Sequence, residues 1–477
     1  MKTPNDHIFR LIQAMTAAEK RYFKVHFASD DSLLTQLFDH LNHINTYQEE
    51  KIKKHFAGTS IAKNLKVYKV QLSEAVLKSL AAFNHKKGLK DKLRIGIEEV
   101  NALRAKQLFN HATNKLSQLK KLATTHHQYH YLLHLLQIEL ELGTHLLNAL
   151  PRSTSQEYES TLQKVMLNQQ LRTQNEYLDS LLQTNFLTQL TPEQLSEIEQ
   201  QQLEHLEPID FVGRYYQLSS KAAIAILLKG DTTLAIQHYL TIISQLKSDT
   251  SPSLQDIHPE LSWQVHYHLL QAYLRIEEFE QAKQLIIELE KWLGKTTGLQ
   301  QCRFYLSYLK IEIAYRQADY DEIVNLENAF FTTVDSLKKV ERYEVFKGLA
   351  FLTLSHLQRK DFAKAQFYLR RLHGFAKKLP KALGSFFDLL ELLSHYASQE
   401  ITITQNLATA YKRKQYDPNK GSILFADLLE AFLKLSSHQQ QLPFAFSAAK
   451  YQNDTLRPLY QYFVLERFIS LQFSEEN

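Results

Sequence analysis

The chain has 477 residues, a formal net charge of only +5, and just 12 Gly and 10 Pro. Turn-forming residues this scarce exclude a sheet protein of such length, and abundant Leu, Gln, Lys and Ala make helix the default. The single cysteine, Cys302, leaves no internal disulfide, the polar start from Met1 to Arg10 lacks the apolar core of a secretory signal, and no run approaches the ~18 apolar residues of a membrane span, so a cytoplasmic protein is expected.

In chain order, Thr3 as cap and Pro4 at the first position announce a helix carrying Ile8, Leu11, Ile12 and Met15. Thr16 with Glu19 forms a capping box for a second helix bearing Tyr22, Phe23 and Phe27. Ser29, Asp30 and Asp31 open a third with Leu33, Leu34, Leu37, Phe38 and Leu41, and Thr46 with Glu49 introduces a short helix that ends near Gly58. From Ile61 to Phe83 one apolar face holds Ile61, Leu65, Tyr68, Leu72, Val76 and Phe83. Positive charge concentrates here: residues 1 to 130 hold 22 Lys plus Arg against 11 Asp plus Glu, whereas residues 131 to 477 hold 34 against 40. Lys51, Lys53, Lys54, Lys63, Lys66, Lys69 and Lys78 form a basic face that is either a solvated helix surface or a contact for phosphates or an acidic protein. The use of Lys and not Arg argues against base-edge recognition, where bidentate Arg is the usual tool.

A divergent helical hairpin is expected from Leu93, with Phe109 and Ala112 at its turn and Leu116 and Leu119 on its second helix. Long Gln-rich and Leu-rich helices follow, broken at Pro151-Arg152-Ser153 and restarted at Thr191-Pro192-Glu193-Gln194, a cap with proline at the first helical position. His126, His130 and His134, with His127 beside them, are spaced by four and so align roughly on one helical face, a pattern that can chelate a metal. No carboxylate lies within that cluster, and a half-exposed histidine face is the stronger reading.

From Phe211 to His373 one helix-turn-helix pattern recurs four times. Its turns read Lys229-Gly230-Asp231-Thr232, Glu277-Glu278-Phe279, Ala318-Asp319-Tyr320 and Lys360-Asp361-Phe362, each an acid followed by Thr, Phe or Tyr. Ala235, Ala282, Ile323 and Ala365 follow at a fixed offset, where a small side chain lets two helices approach, and Tyr216, Trp263, Phe304 and Phe346 open the first helices. Recurrence at roughly 40 residues is the mark of stacked hairpins, because one hairpin alone leaves an apolar face wet.

Trp263, Leu269, Tyr273, Phe279, Ala282 and Ile286 resemble the tetratricopeptide repeat consensus of large, large, aromatic, aromatic, small and large. The chain departs from that consensus at Leu270, Ile311 and Thr353, where a small residue is usual, and lacks its closing proline. The repeats are also longer than the usual ~34 residues. The resemblance covers about a third of the chain and implies an irregular α-solenoid with lengthened helices. The whole chain, with Glu19-Lys20-Arg21-Tyr22-Phe23-Lys24 near its start, also resembles a group of bacterial cytoplasmic helical-repeat proteins, a likeness that implies no activity. In tetratricopeptide proteins the first helices line a concave groove; the matching positions here are Tyr267, Arg275, Tyr305, Tyr308, Tyr315, Arg316 and Lys347. Tyr and Arg are interface-anchoring types, although tyrosines at helical spacing also pack between long helices.

No phosphate loop, dinucleotide fingerprint or metalloprotease helix motif is present, and Cys302 has no base near it in sequence. The expected architecture is all-α: a basic helical domain over 1–90, long helices and a divergent repeat over 91–210, a tetratricopeptide-like array over 211–400 and a helical cap over 401–477. The expected function is a non-catalytic protein-binding scaffold or adaptor without cofactor or metal. The rival expectation is a nucleic-acid- or ribosome-associated factor acting through the basic N-terminal helices.

Overall fold

The computed structural model describes residues 6–26, 32–44, 46–84, 89–145, 152–184, 190–200, 208, 210–247, 258–295, 300–336, 343–376, 382–414 and 422–434. These residues form 21 helices and no strand. The expected Thr3-Pro4 cap, the Ser29 to Asp31 opening and residues 435–477 of the expected helical cap lie outside them.

The chain divides into two compact units, Met1–Thr161 and Leu162–Asn477. In the first, α1 (His7–Ala14), α2 (Ala17–His26), α3 (Leu33–His43), α4 (Glu49–His55) and α5 (Ser60–Asn84) enclose one core of Ile8, Ile12, Phe23, Leu37, Phe38, Leu41, Ile61, Leu72 and Val76. Thr16 and Glu19 make the expected capping box, Thr16 N–H donating to Glu19 at 2.7 Å. Thr46 does not cap α4: Gln48 holds that position, and the Glu49 carboxylate instead receives Lys69 at 3.0 Å and the Tyr47 hydroxyl at 3.1 Å. Then come α6 (Leu89–Ala105), α7 (Phe109–Thr125) and α8 (Tyr129–His145), each packed on its neighbour, with α6 also on α8.

Helix α9 (Arg152–Thr184) contains the division between the units. The second unit continues with α10 (Pro192–Glu199), capped by Thr191 and Gln194 in a full capping box, then α11 (Phe211–Lys229) and α12 (Thr232–Leu246). Next are α13 (Pro259–Arg275), α14 (Phe279–Lys295), α15 (Gln300–Arg316), α16 (Tyr320–Ser336), α17 (Tyr343–Gln358) and α18 (Phe362–Ala376). The last three described helices are α19 (Ala382–Ala397), α20 (Ile401–Lys414) and α21 (Ile423–Lys434). Successive helices from α11 to α21 pack on one another, and α15 also packs on α17.

One local device repeats at the hairpin turns. Gln107, His127, Gly230, Glu277, Ala318, Lys360 and Gln399 all take a left-handed backbone, with φ between 53° and 63°. At six of the seven the next N–H reaches a carbonyl five residues back, as Glu278 to Tyr273 at 3.0 Å, Asp319 to Ala314 at 2.9 Å and Asp361 to His356 at 2.9 Å. This closes orphan carbonyls at the end of the first helix. The acid that follows then caps the second: Asp231, Asp319 and Asp361 accept from the N–H groups of Leu234, Glu322 and Lys364.

The turn geometry also fixes the register. Trp263, Phe304 and Phe346 each lie ten positions before the carbonyl that closes the turn, at Tyr273, Ala314 and His356. At the Gly230 turn Asp231 reaches one residue further back, to Ala225, and ten positions before Ala225 is Tyr215. Tyr215 is accordingly the buried aromatic of that hairpin, and Tyr216 is half-buried. Ala235, Ala282, Ile323 and Ala365 are all fully buried at the helix contacts. Between the later helices the core is filled by whole rings: Phe304, Phe330, Phe346, Phe351, Phe386, Phe387 and Phe432.

Candidate binding face

Three first helices of the second unit, α13, α15 and α17, share one cluster of polar and aromatic residues. On α13, Trp263 and Tyr267 lie one turn apart and stack at 5.9 Å, with Arg275 two turns further on. Tyr305 on α15 meets both, edge-on to Tyr267 at 5.2 Å and tilted against Trp263 at 6.0 Å. One turn spacing on α15 then builds a chain: Tyr308 donates its hydroxyl to the Glu312 carboxylate, and Glu312 holds the Arg316 guanidinium at 2.9 and 3.0 Å. Glu312 is 1% exposed, so the carboxylate that anchors Arg316 lies beneath the surface.

Lys347 on α17 is buried beside the same groups. Burial lowers its pKa; the Glu344 and Glu312 carboxylates push the other way, and Arg275 and Arg316 add to the lowering. Burial likewise raises Tyr267, helped by Glu344, Tyr305 and Glu312. The structure therefore brings Tyr267, Arg275, Tyr305, Tyr308, Arg316 and Lys347 into one neighbourhood. Their access to solvent differs: Arg275 is exposed, Tyr267, Tyr305 and Arg316 are half-buried, and Tyr308 and Lys347 are buried. Tyr315 is also buried and packs against Phe351 at 4.9 Å.

A second group adjoins this one through the contact of Tyr267 with His268 at 6.0 Å. His268 Nε2 lies 3.4 Å from Asp179 of α9, and its ring stacks on Tyr239 at 5.8 Å. Burial alone pushes the imidazole down, but the charge and hydrogen bond of Asp179 together outweigh it, so His268 holds its proton above the ordinary value. Tyr215 donates to Gln264 at 3.3 Å and, like Tyr239, is raised by burial and then by Asp179. Sequence reading missed Asp179, His268, Glu312 and Glu344. The i, i+4 spacing of Tyr308, Glu312 and Arg316 was a usable signal for Glu312; nothing local links Asp179 to His268.

The other expected sites are placed as follows. Lys69 is not part of an exposed basic face: it is turned inward, donating to Tyr47 and Glu49 at 3.0 Å each. Lys53 pairs with Glu50 at 3.2 Å and Glu49 at 3.5 Å, while Lys51, Lys54, Lys63, Lys66 and Lys78 are exposed. His126 sits in the turn between α7 and α8, so the helix carrying His130 and His134 does not include it. Among the described residues no group of three His, Cys, Asp or Glu side chains is arranged to hold a metal ion. Cys302 is buried. No described helix is long and apolar enough to cross a membrane. No protein-family model, curated protein or solved structure matches the chain.

Proposed function

We propose that the second unit is a tetratricopeptide-like α-solenoid that acts as a non-catalytic scaffold in the cytoplasm, binding a segment of another protein along its first helices. The observation that carries this is the continuous cluster on α13, α15 and α17, in which exposed Arg275 and half-buried Tyr267, Tyr305 and Arg316 rest on a fixed layer of Tyr308, Glu312 and Lys347. Aromatic rings and guanidinium groups held from below lose little entropy when a partner arrives, which is why such residues dominate interface energetics. The repeated turn geometry supports the solenoid, since equal turns set successive hairpins in equivalent positions.

The test is capture from native lysate with nuclease present. Wild-type chain should retain a protein partner, and Arg275→Ala with Tyr305→Ala should lose it by tenfold or more while the helical circular dichroism stays unchanged. Undiminished capture by the double variant excludes this face. A second reading, contact with nucleic acid through the N-terminal helices, is favoured by the exposure of Lys51, Lys54, Lys63, Lys66 and Lys78. It requires capture that disappears with nuclease and weakens steeply with salt.

A further inference from the structure

We infer that the outward face of α5 docks an acidic amphipathic α-helix of a partner protein. The inward face of α5 is spent on the first unit's core through Leu65, Leu72 and Val76. The outward face is not simply basic. Val67, Val70 and Leu77 are 53%, 54% and 50% exposed, and together with exposed Glu74 and Ala81 they recur at alternating steps of three and four. That spacing is the seam of a coiled coil, with Val67, Glu74 and Ala81 at one set of core positions and Val70 and Leu77 at the other. Leu72 then falls at the position furthest from the seam, consistent with its burial inside the unit. The helix departs from helical geometry at Asn64, and the seam begins just after that kink, on an uninterrupted stretch about 30 Å long.

The residues flanking the seam select the occupant. Lys66 and Lys78 stand at the positions that form interhelical ion pairs, Gln71 and Ser73 are neutral, and Leu80 is spent on the unit's core. A facing helix must therefore carry Glu or Asp at its own flanks. It must also place Lys or Arg opposite Glu74, the one charged residue within the seam. A second copy of this chain does not fit: an in-register parallel pair sets Glu74 against Glu74, and an antiparallel pair, in which the two sets of core positions face one another, buries each Glu74 carboxylate against Val70 or Leu77. A phosphate backbone gains nothing from three aliphatic side chains between its lysine contacts. A lipid surface would bury Glu74 among acyl chains.

The experiment uses the full chain and a fluorescein-labelled synthetic helix of about three heptads, with Leu or Ile in its seam, Glu at its flanks and Lys opposite Glu74. A twin peptide carries Lys at the flanks. Fluorescence anisotropy should show binding of the acidic peptide, weakened at least tenfold by Val70→Glu with Leu77→Glu. Lys66→Glu with Lys78→Glu should reverse the preference toward the lysine twin. The milder Val70→Ser with Leu77→Ser repeats the first comparison, and circular dichroism checks that each variant is folded. Arg275→Ala with Tyr305→Ala should leave peptide binding unchanged, which separates this surface from the face of α13 and α15. Absence of acidic-peptide binding, or binding indifferent to the seam variants, overturns the inference. So does a short RNA duplex or a phosphatidylserine vesicle that binds through Lys66 and Lys78 regardless of Val70 and Leu77.

Discussion

At the turns, side chains are held in a conformation that glycine adopts without strain. Ala318 has φ of 60° and Lys360 of 61°, whereas the equivalent place in the first of these hairpins is Gly230 at 63°. A Cβ in that region costs about 1 to 2 kcal/mol, partly offset by the roughly 0.5 to 1 kcal/mol that glycine loses in backbone entropy. Ala318→Gly should therefore stabilise the fold by about 0.5 to 1 kcal/mol and Gly230→Ala should destabilise it by a similar amount. A Cβ added at Gly230 would touch nothing within 4 Å, so the second change isolates backbone strain. Urea midpoints with an unchanged slope measure both, and a silent Gly230→Ala would mean the turn relaxes freely.

His268 offers a second test at the same scale. Its folded-state pKa lies above the value of 6.5 it has when unfolded, so the contact with Asp179 contributes fully below pH 6.5 and fades as pH rises through the folded-state value. Asp179→Asn should consequently cost more stability near pH 6 than near pH 8.5. Equal losses at the two pH values would show that the pair acts through packing and not through charge. The pair spans 89 positions, from Asp179 to His268, and no periodicity or cap connects the two places. That is why it was invisible in the sequence, while Asp319 and Asp361, which cap the helix that starts at the next residue by accepting an N–H three residues on, were legible as turn acids.

Between elements, contact distance is set by the smallest residue. A Cβ added at Gly348 of α17 would stand 2.5 Å from the tip of the Phe330 ring on α16, whereas at Gly294 of α14 it would meet nothing within 4 Å. Ala normally improves a helix interior by up to about 1 kcal/mol over Gly. Gly294→Ala, in the last turn of its helix, should gain part of that, and Gly348→Ala should reverse it, losing on the order of 1 to 3 kcal/mol as the ring is displaced. Thermal unfolding of the pair decides; a stabilising Gly348→Ala would mean Phe330 has room to move. The small positions Ala235, Ala282 and Ala365 were legible because they recur at a fixed distance from their turns. Gly348 was not, since its role depends on a ring eighteen positions earlier on another helix. The same limit applies to Lys69 and Gln48. Thr46-x-x-Glu49 has the spacing of a capping box, but a lysine twenty positions away captures the glutamate first.

At the scale of the molecule, each compact unit has its own core, that of the first built on Leu37 and Phe38 and that of the second including Ile286 and Phe304. Separate cores can unfold separately, in which case no single free energy describes the chain. Both tryptophans, Trp263 and Trp292, belong to the second unit, so their emission follows that unit alone, whereas helical circular dichroism follows both. Leu37 and Ile286 are almost completely buried, and truncating either to Ala should cost about 2 to 5 kcal/mol within its own unit. Leu37→Ala should then move the dichroism transition in urea and leave the tryptophan transition where it was. Ile286→Ala should move the tryptophan transition. The opposing consideration is α9, a single helix from Arg152 to Thr184 that contains the division and has to break, or fray from one end, for one unit to unfold while the other stands. If that coupling dominates, the two probes coincide and Leu37→Ala shifts both by the same amount, which would make the chain one cooperative system despite its two cores.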